Sequence, residues 1–174
     1  MVWLRPEEPE DIDGVRRVVE AAFGQPDEAQ IVDRLRADGD LVMSHLADRK
    51  HEIIAHVAFS PAQVINEAGE AREVPGGLLA LAPMAVLPEY QKQKVGGGLL
   101  QSALIRLERE GVGAVVVLGH PEYYPRFGFT PASAFGLRCP FDAPDDAFLL
   151  RVFRDDMRRD AFQGTVRWAP AFGK

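Results

Sequence analysis

The sequence predicts a single domain, residues 1–174, built on a mixed α/β sheet with helices on both faces, and three observations lead there. The chain has 174 residues, 47% of them hydrophobic, which is the size and apolar content of one ordinary core. Its apolar residues change period along the chain, first at helical spacing, then in short runs, then in a strand, helix, strand order. Two of the later runs, 78–86 and 114–118, are apolar throughout, as strands covered on both faces are.

In residues 9–23, Ile12, Val15, Val18, Val19, Ala22 and Phe23 recur every three or four positions between Asp11, Asp13, Arg16, Arg17 and Glu20, which describes an amphipathic helix. A second helix starts near Pro26, with Asp27 and Glu28 in the first turn where the helix dipole favours acids, and stops at Gly39. Residues 41–47 and 53–59 read as two strands, and the polar run 48–52 between them suits a hairpin. Residues 66–72 form a polar turn before the buried strand 78–86, in which Pro83 removes a ladder donor and marks either a bulge or an interrupted pairing. Residues 95–110 return to helical period and end at Gly111 and Gly113. With the valine-rich run 114–118 they complete a right-handed crossover. Residues 121–127 hold one short helical turn. Three further strands are expected over 129–137, 148–153 and 165–168, with a solvated, charge-alternating connection over 151–160.

Composition excludes several functions. Twenty Lys plus Arg against 26 Asp plus Glu, a formal charge of −6, offers no broad basic surface for nucleic acid or anionic lipid. The longest uncharged apolar stretch, 74–87, is shorter than the roughly 20 residues a bilayer requires, so no membrane span is expected. Residues 1–9 carry Arg5, Glu7 and Glu8 with no apolar stretch behind them, which is neither a signal peptide nor a lipid anchor. Cys139 is the only cysteine and, with four scattered histidines, gives neither a disulfide within the chain nor a zinc site; no metal is expected, and the setting is read as cytoplasmic. The run His51-Glu52-Ile53-Ile54-Ala55-His56 is one residue too long for a zinc-protease motif and lies in an expected strand. Cys139 itself reads as a plain buried thiol.

The most informative stretch is Met84-Ala85-Val86-Leu87-Pro88-Glu89-Tyr90-Gln91-Lys92-Gln93-Lys94-Val95-Gly96-Gly97-Gly98-Leu99-Leu100, where the buried strand gives way to a helix. Glycine costs about 1 kcal/mol relative to alanine inside a helix, so three in a first turn ask for a compensating reason. Between Tyr90 and Leu107 the only charges are Lys92, Lys94 and Arg106, although the chain as a whole is acidic. Backbone N–H groups at a positive dipole end, no side chains in the way and two nearby lysines describe a seat for phosphate. A glycine-rich loop chosen for tight packing, with two solvated lysines, is the other reading the residues allow. The P-loop and dinucleotide fingerprints are both absent.

This stretch resembles the acetyl-coenzyme A signature of the GCN5-related N-acetyltransferases (GNAT), and within them a bacterial branch of predicted N-acetyltransferases labelled YhbS-like. The likeness rests on Val86-x-Pro88-x-Tyr90-Gln91-x-x-Lys94-x-Gly96-x-x-Leu99-Leu100 and on Gly119-His120-Pro121-Glu122-Tyr123-Tyr124-Pro125-Arg126-Phe127-Gly128-Phe129, with a tyrosine four residues before a Gly-Phe pair. It spans nearly the whole chain. In this frame Lys94 stands where the family usually has its first motif glycine; shifting to Gln93-x-x-Gly96-x-Gly98 restores the letters but breaks the spacing to Pro88 and Leu99. The unshifted frame is preferred, and it asks a lysine to adopt a glycine conformation.

The resemblance implies a GNAT fold, a central mixed and mostly antiparallel sheet splayed at two parallel strands, and acetyl transfer from acetyl-coenzyme A to a primary amine in a ternary complex. It implies that Met84, Ala85 and Val86 offer backbone to the pantetheine arm and the acetyl carbonyl. Gln91, Lys92, Gln93, Lys94, Val95, Gly96 and Gly97 would cradle the diphosphate. Tyr124 matches the general acid that protonates the departing thiolate; taken alone, Tyr123 and Tyr124 also fit as core aromatics. His120 is the candidate general base and fits equally as a capping histidine, while Glu28, Glu73, His56 or an ordered water could serve instead. The acceptor, a small-molecule or peptide amine, is not written in the sequence; homodimer contacts through C-terminal strands occur in the superfamily. A non-catalytic acyl-coenzyme A binding module, or a binder of another nucleotide, would share the same loop.

Overall fold

The helical spacings become helices close to where they are expected. The computed structural model describes every residue except Asp155, Arg158 and Lys174, so the connection expected over 151–160 lies partly outside the described residues. The strands are β1 (Trp3–Pro6), β2 (Met43–Arg49), β3 (Glu52–Ile65), β4 (Leu78–Val86), β5 (Ala114–Leu118), β6 (Thr130–Pro131), β7 (Leu137–Arg138), β8 (Phe148–Val152) and β9 (Gly164–Arg167), and the helices are α1 (Ile12–Phe23), α2 (Asp27–Asp38) and α3 (Val95–Arg109). The chain divides into two compact units, one of Met1–Ser60, Ala82–Arg106 and Ala171–Gly173, the other of Pro61–Leu81 and Leu107–Pro170. The divisions fall inside β3, β4 and α3.

In the first unit, α1 buries Val15, Val18 and Val19 and α2 buries Ala29, Val32 and Leu35, one apolar stripe on each. Both helices end on a left-handed glycine, Gly24 at φ 70° and Gly39 at φ 77°. The Arg16 guanidinium donates to Asp33 from Nε at 2.9 Å and ties α1 to α2. The expected β2–β3 pairing is antiparallel, from Met43↔Phe59 to Arg49↔Glu52. The hairpin closes on two residues only, Lys50 (φ 52°) and His51 (φ 68°), the left-handed pair that matches strand twist. Strand β1 pairs antiparallel with β2. It was not among the expected elements, because four residues ending in Pro6 carry no readable alternation. Its Arg5 donates to Asp11 at 2.7 Å and to Asp48 at 3.0 Å. Asp11 in turn accepts the Glu8 N–H at 2.8 Å.

The second unit contains the parallel pair. Leu78, Leu79 and Ala80 of β4 pair with Ala114, Val115 and Val116 of β5, while β4 itself continues to Val86. Antiparallel β5–β8 and β8–β6 ladders extend it. Glycine makes the start of the pair: the Gly77 carbonyl accepts from Gly113 and Ala114, and a Cβ on Gly113 would lie 2.1 Å from the Pro75 oxygen. Past Pro61, β3 pairs with β9, which runs parallel to β7. The strand expected over 129–137 is corrected: two-residue strands β6 and β7 flank a 3-10 turn, Ala132–Phe135. Pro131 has no N–H to give a ladder, and Gly136 takes φ 78° to end the turn. Phe129, Phe162, Leu107, Leu137 and Leu149 are the largest fully buried side chains here. Cys139 is half-buried, where a buried thiol was expected.

Among the described residues the architecture is a mixed, mostly antiparallel set of strands with a parallel crossover pair, β4 and β5, a short parallel pair, β7 and β9, and three α-helices. Among the described residues no helix is long and apolar enough to cross a membrane.

Candidate active site

The residues of the expected phosphate seat, 84–97, all lie in the first unit. Along β4 every residue of 78–81 is buried, whereas from Ala82 burial alternates: Ala82, Met84 and Val86 are half-open and Pro83 and Ala85 are closed. The strand expected to be covered on both faces is therefore covered on both faces only in its first half. The Ala82–Pro83 peptide is cis. After Leu87, whose N–H donates to the Ile54 carbonyl at 2.9 Å, a 3-10 turn, Pro88–Tyr90, leads into the loop.

That loop contains two left-handed lysines, Lys92 at φ 63° and Lys94 at φ 67°. Lys94 thus holds the glycine-type conformation that the unshifted motif frame requires, at a cost of about 1 kcal/mol that a glycine would not incur. It also caps α3: its carbonyl accepts the Gly98 N–H at 3.1 Å, the first bond of the helix. The N–H groups of Val95, Gly96 and Gly97 precede that bond and have no carbonyl one turn back inside the helix. Residues 91–94 are exposed, Gly96 is buried and Gly97 half-buried. Free helix-start amides, two of them on residues without a side chain, a positive dipole end and two exposed lysines are what an anion needs.

Two glutamines brace this turn. Gln91 Nε2 donates to the Val86 carbonyl at 3.0 Å and Gln93 Nε2 to the Glu89 carbonyl at 2.9 Å. The Gln91 side chain thus holds the loop to the end of β4, and it occupies the Val86 carbonyl that was expected to face a pantetheine arm. Arg49 of the hairpin donates to the Tyr90 hydroxyl at 3.0 Å, with its guanidinium 5.7 Å from the ring centroid. That brace was not read from the sequence, since nothing local links residue 49 to residue 90.

In the second unit, Tyr124 opens the 3-10 turn Tyr124–Phe127, which ends on Gly128 at φ 88°. Its side chain is 7% exposed and packs edge-on against Tyr123 (5.1 Å between centroids) and Phe129 (5.7 Å). Burial, with a smaller contribution from Tyr123, pushes its phenol up to about 12. Tyr124 is therefore protonated across the whole working pH range, the state of an acid rather than a base. The His120 carbonyl accepts from Tyr123 at 3.1 Å and Tyr124 at 3.4 Å, so its backbone caps the turn while its side chain is exposed.

The remaining base candidates separate clearly. His56 is 0% exposed, and its Nε2 lies 2.7 Å from Ser44 Oγ, which donates to Glu7 at 3.0 Å. Arg36 donates to the same carboxylate at 2.7 Å. Burial first, then Arg36 and His45, push the imidazole down to about 3. So sealed and so weak a base is a structural group, and the expectation that His56 faces an acceptor is corrected. Glu28 accepts from Gln25 at 3.0 Å. Glu73 is exposed beside a cavity of about 570 Å³ that Arg72 and Arg154 also line. Among the described residues no group of three or more His, Cys, Asp or Glu side chains comes together to hold a metal ion.

A strand leading through left-handed residues into a glycine-started helix, then a crossover strand and a Tyr-x-x-x-Gly-Phe turn, is the arrangement of an acyltransferase of the GNAT type. The family model for the acetyltransferase (GNAT) domain matches residues 4–132, and the chain belongs to that family. It is 36% identical over 154 residues to the N-acetyltransferase YhbS of Escherichia coli (strain K12), covering 88% of each chain. The similarity to Escherichia coli YjhQ is 35% over 139 residues, covering 78% of this chain and 74% of that one. Among solved structures, Escherichia coli YhbS in complex with CoA superposes with a TM-score of 0.88 at 32% identity, covering 99% of this chain and 92% of that one. A GNAT acetyltransferase from Brucella melitensis in complex with acetyl-CoA gives 0.79, also at 32%, covering 99% and 98%.

Proposed function

We propose that this chain is one acetyl-coenzyme A-dependent N-acetyltransferase domain acting on a primary amine, carried by a small molecule or a peptide, by direct attack in a ternary complex in the cytoplasm. The observation that carries the reading is the start of α3, where Lys94 takes the left-handed conformation of the motif glycine and Val95, Gly96 and Gly97 present amides ahead of the first helical hydrogen bond. Relatives that match nearly the full chain bind CoA and acetyl-CoA, which supports placing the diphosphate there. Lys92 and Lys94 add charge to the dipole end; Met84 and Ala85 supply backbone to the arm and a donor to the acetyl oxygen.

In the reaction the neutral amine nitrogen attacks the thioester carbon and the carbonyl oxygen takes the negative charge, where a fixed N–H is typically worth about 3 to 4 kcal/mol. The carbon–sulfur bond then breaks, and Tyr124 gives its phenolic proton to the thiolate. The amine's surplus proton leaves to His120 or to water. A phenol pushed up to about 12 still carries its proton when the carbon–sulfur bond opens, so the proton is in place for the departing thiolate.

The test is Tyr124→Phe. Acetyl-coenzyme A turnover, followed as thiol release with an amine library and corrected for hydrolysis, is expected to fall at least tenfold while coenzyme A affinity is unchanged. An unchanged rate would remove Tyr124 from the mechanism, and a wild-type chain that binds acetyl-coenzyme A but acetylates no amine would mark a binding module.

A further inference from the structure

We propose that Gly119 is a positioning residue for Tyr124, a place where a side chain is kept out so that the phenol can stand where the reaction needs it. The inference rests on the role given to Tyr124 above. A Cβ built on Gly119 would lie 2.5 Å from Tyr124 Cε2, 3.2 Å from Cδ2 and 3.4 Å from Cζ, the carbon that bears the hydroxyl. Carbon atoms rest about 3.5 to 4 Å apart, so the ring would have to move by about 1 Å.

Neither partner has an easy way to yield. The Gly119 N–H donates to the Ala147 carbonyl at 2.9 Å, which continues the β5–β8 ladder past Leu118 and pins the backbone. On the ring's side, Tyr123 and Phe129 pack edge-on, and the Tyr124 backbone is tied to His120. Gly119 does not take a left-handed φ, so its lack of a side chain answers to space rather than to backbone conformation. A displacement of that size at a reacting group typically costs on the order of 100-fold in rate.

The experiment is a double-mutant cycle on the full chain with Gly119→Ala and Tyr124→Phe, reading kcat, KM for acetyl-coenzyme A and the melting temperature of each variant. Gly119→Ala is expected to lower kcat roughly 100-fold with KM changed less than about threefold, and to add less than about threefold to the loss already caused by Tyr124→Phe. An equal loss in both backgrounds would overturn the proposal, because the glycine would then act on something other than the hydroxyl. No loss from Gly119→Ala, with Tyr124→Phe still impaired, would also overturn it and leave the Tyr124 reading standing; an unimpaired Tyr124→Phe defeats both. If Gly119→Ala alone does not fold, the collision with the ring predicts that Tyr124→Ala restores folding in the same chain, and failure to restore it rejects the proposal.

Discussion

Acidification offers a sharp test of the core, through His56. In the folded chain this imidazole is sealed, and Ser44, which gives its only proton to Glu7, can receive Nε2–H but not donate to it. Nδ1 has no hydrogen-bond partner among the described residues, so a second proton there would be a buried charge without an acceptor. The folded pKa of about 3 lies below the ordinary 6.5, so between those two values the unfolded chain binds the extra proton and the folded chain does not. Stability therefore rises with pH across that window and is lost as pH falls from 6.5 toward 3. At pH 5 the unfolded imidazole is favoured by protonation about 30-fold, which is about 2 kcal/mol of stability lost relative to pH 8. For a chain of this size that corresponds to roughly 4 to 8 °C in Tm. Urea denaturation followed by far-UV circular dichroism, at pH 8 and pH 5, measures it directly. The wild-type loss should exceed that of His56→Gln by about 2 kcal/mol, since glutamine keeps a donor for Ser44 but does not titrate. Equal losses in the two proteins would show that His56 takes up its proton in the folded state as easily as in the unfolded one.

Other substitutions test separate parts of the reading. Lys94→Gly removes left-handed strain of about 1 kcal/mol but adds glycine's unfolded-state entropy, for a net gain of roughly 0.5 kcal/mol and a Tm rise of about 1 to 2 °C, while coenzyme A binding measured by calorimetry weakens with the lost charge. A lower Tm would mean that the lysine conformation is not strained. Asp11→Ala should cost about 2 kcal/mol, because Arg5 loses one of its two carboxylates and the Glu8 N–H loses its acceptor. The Arg5 hydrogen bond holds the Asp11 carboxyl below its ordinary 3.8, so its contribution is present above that value and lost as pH falls below it. The alanine variant should accordingly unfold less steeply with acid below pH 4, and an unchanged acid limb would contradict the assignment.

The loop-to-helix stretch was legible because its signals are local. Three glycines at a helix start and lysines in an acid-free run are visible in the order of residues, and even the anomaly at Lys94 could be stated as a conformational demand before the φ of 67° answered it. The hairpin of β2 and β3 was legible for the same reason, although its turn is shorter than the polar run suggested. Other features were not. The Gln91 brace on Val86, the Arg49 contact with Tyr90 and the absence of room beside Gly119 each join residues that nothing in the spacing relates. The strand expected over 129–137 failed because apolar content there reflects burial, not ladder pairing; Phe129 is buried from a connection, Ala132 from a 3-10 turn and Leu137 from the two-residue β7.

By itself the order of amino acids determined the class of fold and the place of the crossover, and it singled out the stretch proposed to hold a diphosphate. All of these follow from backbone preferences and hydrophobic period, which act over a few residues. Tertiary structure decided which of the four histidine and glutamate candidates are open and which are sealed. It also decided that the Tyr124 phenol is buried and that no room is left for a side chain at Gly119. Desolvation and steric exclusion are properties of what surrounds an atom, and the surroundings are brought together only when distant segments pack.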